Sequence, residues 1–189
     1  MSTRTLLTAE EFLAIPGDEP HELAQGEVVE MTLPGGRHGL VCARIARLLG
    51  NWADSHEAGE VLSNDSAVIT ERDPDSVRGP DVQFFSIDRL PDDFPPVGPL
   101  RQPPDLAIEV VSDSDRWSDV INKVDEFLGV GVREVWVIEP EGQFVEIFRP
   151  DGCHRRIRRD GTLESPTIVP GFACPVASLF TIRRKKGTT

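Results

Sequence analysis

The sequence predicts an α/β protein with a mixed central β-sheet flanked by helices, and three observations support this fold class. The chain has 189 residues, enough for one domain with a buried core. Apolar residues follow helical spacing in two long segments and strand-like spacing in several shorter ones. A strand, a helix and a second strand follow one another over residues 105–138, which is the order of a parallel βαβ unit. We expect residues 1–182 to form the domain and residues 183–189 to form a disordered basic tail.

The first third of the chain predicts a short helix, an N-terminal β-hairpin extension and a long helix. Thr8 is suited to cap a helix that runs to Leu13, because Glu11 stands three residues after it. Segments 21–23 and 27–31 flank a tight turn at 24–26 and predict the hairpin. After a loop at 34–36, apolar residues at 40, 41, 45, 48, 49 and 52 predict a helix over residues 38–53.

The middle of the chain predicts two strands, an irregular insertion and the βαβ unit. Residues 60–70 and 81–86 are predicted strands joined by a polar turn. Residues 91–104 contain six prolines, so we expect a surface insertion or flap without regular structure. Residues 106–111 are almost all apolar, as in a strand covered on both faces. A helix over residues 117–128 follows, and we expect Gly129 and Gly131 to end it.

The remaining elements are short. Residues 134–138 and 144–148 predict a strand pair around a turn at 140–142, and residues 154–158 predict a further strand. We expect three aromatic side chains to lie in the core: Trp117, Phe127 and Trp136. Four polar residues are expected to shape the turn before the second long helix and to cap that helix: Ser112, Asp113, Ser114 and Asp115.

The charge of the chain is unevenly distributed and excludes a protein that coats nucleic acid over a broad basic face. The net charge is −12; residues 1–150 hold 12 basic and 29 acidic side chains, whereas residues 151–189 hold 8 and 3. Any contact with nucleic acid must therefore use a local patch, bound cations or a partner chain. The stretches His154–Arg159 and Arg183–Lys186 are candidates for such a patch, with a solvated strand and a disordered tail as the alternatives.

The cysteines and the hydropathy indicate a cytoplasmic protein without a membrane segment. No stretch approaches the ~20 apolar residues that a membrane helix needs. The N-terminus lacks the apolar run of a signal peptide, because Glu10 and Glu11 interrupt it. The three cysteines are widely spaced and form no C-x-x-C, which favours reduced thiols over disulfides or a zinc knuckle.

Glu109 is the strongest single candidate for a functional residue. On a strand, Ala107, Glu109 and Val111 share one face of an otherwise apolar segment. A carboxylate in such surroundings is costly to bury unless a cation or hydrogen bonds replace the lost water. A buried ion pair is the alternative, but buried ionisable groups cluster at functional sites, so a site is favoured.

Asp81 is a candidate site residue because of its combination with Glu109. Alone, Pro80-Asp81 is a common turn pair. Two carboxylates on neighbouring strands, however, supply the hard oxygen ligands that suit Mg²⁺ or Mn²⁺. The pair therefore predicts a divalent metal site.

Lys123 is the only lysine among the first 184 residues. On the predicted helix it lies beside the apolar face, where its stem can be buried while its ammonium reaches the end of the preceding strand. An ordinary flanking lysine is the alternative. In a shared site, Lys123 would position an attacking water or neutralise charge on phosphorus, while a metal held by Asp81 and Glu109 would activate that water.

These residues carry a resemblance to a known family. Asp81 in P-D, Glu109 in I-E-V-V-S and Lys123 in N-K-V-D-E-F-L-G-V-G resemble the PD-(D/E)XK nuclease superfamily, and within it the Uma-type family of bacterial proteins labelled putative restriction endonucleases. The segments H-E-L-A-Q-G-E-V-V-E-M and P-G-G-R-H also match, so the resemblance spans about residues 8–150. The superfamily lysine usually lies two residues after the acidic residue, where this chain has Val111; the Uma-type lysine comes from the following helix, as Lys123 does.

The resemblance implies a restriction-endonuclease-like fold and a Mg²⁺- or Mn²⁺-dependent endonuclease that hydrolyses double-stranded DNA with metal-activated water, as a homodimer. It also implies that Glu22 is a further acidic site residue that binds metal directly or through water, with an exposed hairpin glutamate as the alternative. His38 would contact phosphate or substrate, or would cap the helix.

Two other functional hypotheses stay open at this point. A nuclease fold that binds or assembles without cleaving, as a module of a defence or mobile-element system, would fit the acidity of residues 1–150. An acidic metal-binding protein without a nucleic-acid role would fit it as well. The complete set of Asp81, Glu109 and Lys123 favours the nuclease.

Overall fold

A six-stranded mixed sheet lies between helices on its two faces. The computed structural model describes residues 6–16, 21–96 and 98–182. Its helices are α1 (Ala9–Leu13), α2 (Gly36–His56), α3 (Trp117–Val130) and α4 (Val176–Phe180), with a 3-10 turn at Ile87–Arg89. Its strands are β1 (His21–Ala24), β2 (Glu27–Glu30), β3 (Gly59–Ser63), β4 (Val68–Glu71), β5 (Ser76–Arg78), β6 (Val82–Ser86), β7 (Leu106–Val110), β8 (Glu134–Glu139), β9 (Phe144–Phe148), β10 (His154–Arg158), β11 (Thr162–Ser165) and β12 (Val169–Pro175).

The central sheet has the strand order β10-β9-β8-β7-β6-β3. Strands β7 and β8 are parallel and are connected through α3, whereas the other neighbouring strands are antiparallel. This arrangement confirms the predicted mixed sheet and the βαβ unit. A parallel pair needs a crossover, and α3 supplies it.

Alternating side chains of β7 divide the core between the two faces of the sheet. Leu106, Ile108 and Val110 pack with α2, α4 and the β11–β12 hairpin. Ala107, on the opposite face, packs with α3. All five residues of β7 are buried, as predicted for a strand covered on both sides. Glu109 therefore belongs to the face that α3 covers.

The N-terminal hairpin is part of a second sheet. Strands β1 and β2 pair through a turn at Gln25 and Gly26, whose φ angles of 49° and 79° suit a tight hairpin turn. The hairpin prediction is confirmed, as is the capped helix α1, in which Thr8 and Glu11 form the expected capping box. Strand β1 also pairs with β5, so the hairpin belongs to a four-stranded sheet of order β2-β1-β5-β4.

The single strand predicted over residues 60–70 is wrong. The segment forms β3 in the central sheet and β4 in the second sheet. Between them the chain turns at Asn64 and Asp65, whose φ angles are 65° and 53°, and the left-handed conformation ends an extended run. The polar turn predicted before residue 81 also contains β5, which pairs with both β1 and β4.

The proline-rich segment has little regular structure, as predicted, but it is not a flap over the site. In residues 91–96 and 98–104 the described pairing is a single bridge between Leu100 and Val68. Leu100 is buried with Val68 and Phe85. This anchoring holds the segment against the body of the protein, and none of its described residues lines the cavity that contains Asp81 and Glu109.

Helix α3 differs from its prediction in three details. It runs through Gly129 and ends at Gly131, whose φ of 107° is the left-handed conformation of a helix C-cap. Its N-cap residue is Arg116, whose side chain makes no capping hydrogen bond to the first turn. Asp115 does not cap the helix but shapes the preceding turn, where it accepts a hydrogen bond from the Ser112 amide. The prediction that Trp117 lies in the core is wrong: it is 42% exposed at the first position of the helix, three residues before Val120, the first residue of α3 that packs against the sheet. Phe127 and Trp136 are buried as predicted.

The three cysteines are free thiols, as predicted. No helix in the described part of the chain combines the length and the apolar character needed to cross a bilayer. The basic residues 183–189 lie outside the described residues.

Candidate active site

Asp81 and Glu109 face each other where β6 begins and β7 ends. Strands β6 and β7 are antiparallel, with Val82 opposite Ile108. Continuing this register by one residue brings Asp81 opposite Glu109. The Val110 amide donates a 2.7 Å hydrogen bond to Asp81 Oδ2, which fixes the carboxylate and leaves Oδ1 directed elsewhere. The sheet register therefore brings together the two carboxylates that the sequence singles out.

Glu109 is a buried carboxyl group with an incomplete set of partners. Its residue is 9% exposed. Its Oε2 lies 3.7 Å from Lys123 Nζ, whereas its Oε1 is buried without a hydrogen-bond partner among the described residues. Burial raises the pKa of Glu109 to about 8, and the positive charge of Lys123 opposes that rise only in part. A cation beside Oε1 would remove this mismatch.

Lys123 points into the same cleft from α3. Its ammonium donates a 2.9 Å hydrogen bond to Glu22 Oε1 and lies near Glu109. Burial alone would lower the pKa of Lys123, but the negative charges of Glu109 and Glu22 outweigh it and raise that pKa above its usual value. Lys123 is therefore charged at neutral pH. The sequence expectation that its ammonium reaches the end of β7 agrees with this geometry.

Glu22 lies on β1 and is buried rather than exposed on the hairpin. Its Oε1 accepts from Lys123 and from the Gly79 amide at 3.2 Å. Its Oε2 accepts from Arg78 at 3.1 Å. Both oxygens of Glu22 thus have donors, which distinguishes it from Glu109.

Arg78 is a site residue that the sequence reasoning missed. It lies on β5, is buried, and contacts both Glu22 and Glu126. Its Nε donates a 2.6 Å hydrogen bond to Glu126 Oε2, and Thr70 donates to the same oxygen. Burial opposes the charge of Arg78, but Glu126 and Glu22 outweigh this effect and raise its pKa. Since Glu126 follows Lys123 by one helical turn, Arg78 connects α3 to β1.

His38 and Cys42 lie on the first turns of α2, beside Asp81. His38 Nε2 is 3.1 Å from Asp81 Oδ1, and the Cys42 thiol donates to the same oxygen at 3.5 Å. Burial lowers the pKa of His38, but its hydrogen bond to Asp81 and the charge of Asp81 outweigh burial and raise it overall. Burial first, and Asp81 second, raise the pKa of the Cys42 thiol, so it is protonated at neutral pH.

One cavity of about 580 Å³ joins these residues. It is lined by the predicted site residues Asp81, Glu109, Lys123, Glu22 and His38 and by Arg78. Asp65 also lines it, and burial followed by the charge of Asp81 raises the pKa of Asp65. A Cβ atom at Gly79 would lie 2.6 Å from the Asp65 carbonyl oxygen, so only glycine allows this close approach before Asp81.

The donor set fits a hard divalent cation. Asp81 Oδ1 and Glu109 Oε1 are carboxylate oxygens at the same strand ends, and Glu109 Oε1 lacks a partner within the described residues. Mg²⁺ and Mn²⁺ are bound in proteins by one or two carboxylates and completed by water. The lining of the cavity holds seven carboxyl groups and three cationic side chains, and this excess of acidic groups attracts such an ion.

The comparisons with known proteins decide the family. The model of the Uma2 family, described as "Putative restriction endonuclease", matches residues 9–177. The chain belongs to the Uma2 family. The match extends the resemblance over most of the chain and includes all five predicted site residues. No curated protein matched this Uma2-family chain.

A solved structure is similar to this Uma2-family protein over nearly its whole length. It is a crystal structure described as a putative nuclease belonging to DUF820 from Anabaena variabilis ATCC 29413. The TM-score is 0.82, with 20% sequence identity, 92% of this chain covered and 97% of that chain. At this identity the likeness shows the fold alone, and it confirms the predicted nuclease-like α/β fold class. The family and the fold together support a nuclease function.

Three residues near the site escaped prediction for different reasons. Cys42 carried a usable signal, because it follows His38 by four residues and so shares its helix face. Arg78 stands in the same R-G-P-D segment as Asp81, but its partners come from α3 and β1, which no local pattern reveals. Asp65 carried no signal, since a positive φ brings it to the cavity.

Proposed function

We propose that this Uma2-family protein is a Mg²⁺- or Mn²⁺-dependent endonuclease that hydrolyses phosphodiester bonds of double-stranded DNA by direct attack of water. One observation carries the proposal. The buried Glu109 Oε1 has no hydrogen-bond partner among the described residues, and it stands opposite Asp81 in a cavity that also holds the Lys123 ammonium. A carboxylate so placed is suited to a cation.

Asp81 and Glu109 are assigned to hold the ion. The Val110 amide keeps Asp81 in place through Oδ2, and we assign Oδ1, which contacts His38 and Cys42, to the ion. A bound Mg²⁺ or Mn²⁺ supplies an acidified water and neutralises charge on the scissile phosphate. The apolar strand around Glu109 excludes competing water, which strengthens every charge interaction in the site.

Lys123 is assigned to position the attacking water or to neutralise charge that develops on phosphorus. Its ammonium is charged and is directed by Glu22 into the cavity. Because two cations, Arg78 and Lys123, already pair with the carboxylate of Glu22, we assign Glu22 to orient Lys123 rather than to bind the ion directly. His38 holds Asp81 Oδ1 and faces the same cavity, where it can donate to a substrate phosphate.

We further infer a cytoplasmic homodimer with one site for each DNA strand. Three free cysteines fit a reducing compartment. Strand β2 is an edge of the second sheet and leaves Val28 and Val29 partly exposed, with the exposed Leu33 close behind in sequence. An apolar edge of this kind is suited to pair with a second copy. Light scattering at micromolar concentration tests this inference, and a monomer would contradict it.

Nicking of a supercoiled plasmid tests the proposed activity. We expect wild-type protein to nick and linearise the plasmid with Mg²⁺ or Mn²⁺ and not with EDTA. Asp81→Asn should lower the rate by at least about 10²-fold, because it removes a metal ligand. Asp54→Asn, an exposed aspartate of α2, is the matched control and should cut at the wild-type rate.

Two results would overturn the proposal. Equal nicking by wild type and Asp81→Asn would show that the activity comes from elsewhere. DNA binding without any nicking would support the non-cleaving module instead.

A further inference from the structure

The first turns of α2 place two potential metal ligands, His38 and Cys42, beside Asp81, and the proposed nuclease site has no role for Cys42. His38 and Cys42 stand four residues apart and therefore share one helix face. Asp81 approaches that face from the start of β6. In the described part of the chain these three form the one group of three potential metal ligands whose donor atoms all lie within 4.8 Å of one another.

The distances within this group are close to those of a zinc site. His38 Nε2 lies 3.1 Å from Asp81 Oδ1, Cys42 Sγ lies 3.5 Å from that oxygen, and Sγ lies 3.9 Å from Nε2. Tetrahedral Zn²⁺ with Zn–N and Zn–O of about 2.0–2.2 Å and Zn–S of about 2.3 Å separates its ligands by about 3.3–3.6 Å. Each observed distance differs from this range by about 0.3 Å or less.

The chemistry of the ligands selects zinc rather than magnesium. Thiolate and imidazole are ligands for Zn²⁺ and other transition metals, whereas Mg²⁺ prefers oxygen. Burial keeps the Cys42 thiol protonated, and it currently donates to Asp81. A thiophilic ion would bind the Cys42 thiolate, and the proton of the thiol would be released to solvent. Three protein ligands beside an open cavity leave the fourth position free, since His38 and Asp81 both line that cavity.

We propose that Zn²⁺ binds to His38 Nε2, Cys42 Sγ and Asp81 Oδ1, and that this binding inhibits the nuclease by withdrawing Asp81. The inhibition rests on the proposed function, because Asp81 Oδ1 is also the oxygen assigned to Mg²⁺ or Mn²⁺. Asp81 Oδ2 accepts the hydrogen bond of the Val110 amide, which fixes the orientation of the carboxylate and leaves Oδ1 as the oxygen directed at His38 and Cys42. Zinc and the activating ion therefore compete for one oxygen.

Cobalt spectroscopy tests the site without reference to activity. Co²⁺ occupies zinc sites and gives a near-ultraviolet charge-transfer band when a thiolate is bound, together with visible bands of tetrahedral geometry. We expect metal-free protein to develop both bands with one equivalent of Co²⁺ and to lose them when Zn²⁺ is added. Cys42→Ser should lose the charge-transfer band, and His38→Gln should bind Co²⁺ at least about tenfold more weakly.

Cys153→Ser is the matched control, because Cys153 is exposed and lies on the loop before β10. It should show the wild-type spectrum, and circular dichroism should show that each variant is folded. Absence of the charge-transfer band in wild type, or its persistence in Cys42→Ser, would overturn the zinc site.

The inhibition has its own measurement. Addition of Zn²⁺ should lower the rate of plasmid cleavage in Mg²⁺ at least about tenfold for wild type and Cys153→Ser. The same addition should leave the cleavage rate of Cys42→Ser nearly unchanged. Equal inhibition of Cys42→Ser would overturn the competition at Asp81. If wild type cleaves nothing in Mg²⁺ or Mn²⁺, the proposed function fails, whereas the cobalt spectrum still decides the zinc site.

Discussion

At the scale of single residues, Glu109 has surroundings that favour its neutral form unless a cation is bound. It lies in a strand whose five residues are all buried, and one of its oxygens lacks a partner among the described residues. The folded protein thus holds a proton on Glu109 at a pH where the unfolded chain has released it. Metal binding requires the charged form, so metal binding and proton release are coupled at this residue.

The stability of the metal-free protein should therefore depend on Glu109. Its pKa in the folded protein lies near 8, above its usual value of 4.5, so stability falls as pH rises through that interval. Glu109→Gln removes the titration and should raise the free energy of unfolding by roughly 1–3 kcal/mol at about pH 8.5 and change it little at about pH 5. Urea unfolding at the two pH values measures this difference.

Glu60→Gln provides the control for that measurement, because Glu60 is an exposed glutamate on β3. It should leave the pH dependence of stability unchanged. A Glu109→Gln variant that is less stable than wild type at both pH values would contradict the assigned proton on Glu109.

Lys123 should act on the reaction rather than on DNA affinity. Lys123→Met keeps an unbranched stem and removes the charge that Glu22 directs into the cavity. We expect the single-turnover cleavage rate to fall about 10²–10³-fold, as on loss of one donor that stabilises a transition state. DNA affinity in Ca²⁺, measured by fluorescence anisotropy, should change by less than about threefold. Cleavage by Lys123→Met at the wild-type rate would refute the assigned role.

At the scale of elements, β5 joins the second sheet to α3, which covers the face of the central sheet that carries Glu109. It pairs with β1 and β4, and Arg78 at its end contacts Glu22 on β1 and Glu126 on α3. The hairpin, β5 and α3 thus meet at one buried guanidinium. The orientation of Lys123 depends on this junction, because Glu22 is shared between Lys123 and Arg78.

Substitution of Arg78 alone should lower the free energy of unfolding more than substitution of both Arg78 and Glu126. Arg78→Met leaves the buried Glu22 and the half-buried Glu126 without their shared cation and should destabilise the protein by about 3–5 kcal/mol. The double variant Arg78→Met, Glu126→Gln should recover at least about 1 kcal/mol of that loss, measured by urea unfolding in a double-mutant cycle. Additive effects of the two substitutions would contradict the coupling.

The sequence predicted best those elements whose pattern is local. Strand β7 and helix α3 follow from their apolar spacing, and Glu109 stands out because it interrupts an apolar run. The break between β3 and β4 depends on two left-handed residues, Asn64 and Asp65, and on pairing with distant strands. The role of Arg78 was hidden for the same reason, because its carboxylate partners lie 48 and 56 residues away in the chain.

At the scale of the whole molecule, the net charge of −12 opposes the approach of DNA. Two of the basic residues of β10, His154 and Arg156, are already paired with an acidic side chain, because both contact Glu146. Under the proposed function, we therefore expect contact with a phosphate backbone to depend on cations bound in the acidic cleft. Such a dependence would distinguish the protein from nucleic-acid-binding proteins with a broad basic face.

DNA binding should accordingly require a divalent ion. With Ca²⁺ in place of Mg²⁺, the affinity for a short duplex should be at least about tenfold higher than in EDTA, because the ion neutralises the carboxylates that repel phosphate. Fluorescence anisotropy at constant ionic strength measures this effect. Equal affinity in Ca²⁺ and EDTA would show that the duplex binds away from the acidic cleft.

The most direct test of the central claim is single-turnover cleavage of a labelled duplex as a function of Mn²⁺ concentration. Wild type and the control Glu60→Gln should show the same saturable dependence on Mn²⁺. Glu109→Gln should be at least about 10²-fold slower at saturating Mn²⁺ and should need a higher Mn²⁺ concentration, because it lacks one ligand. Cleavage by Glu109→Gln with the wild-type rate and the wild-type Mn²⁺ dependence would contradict the assignment of Glu109 and Asp81 as the metal site of a nuclease.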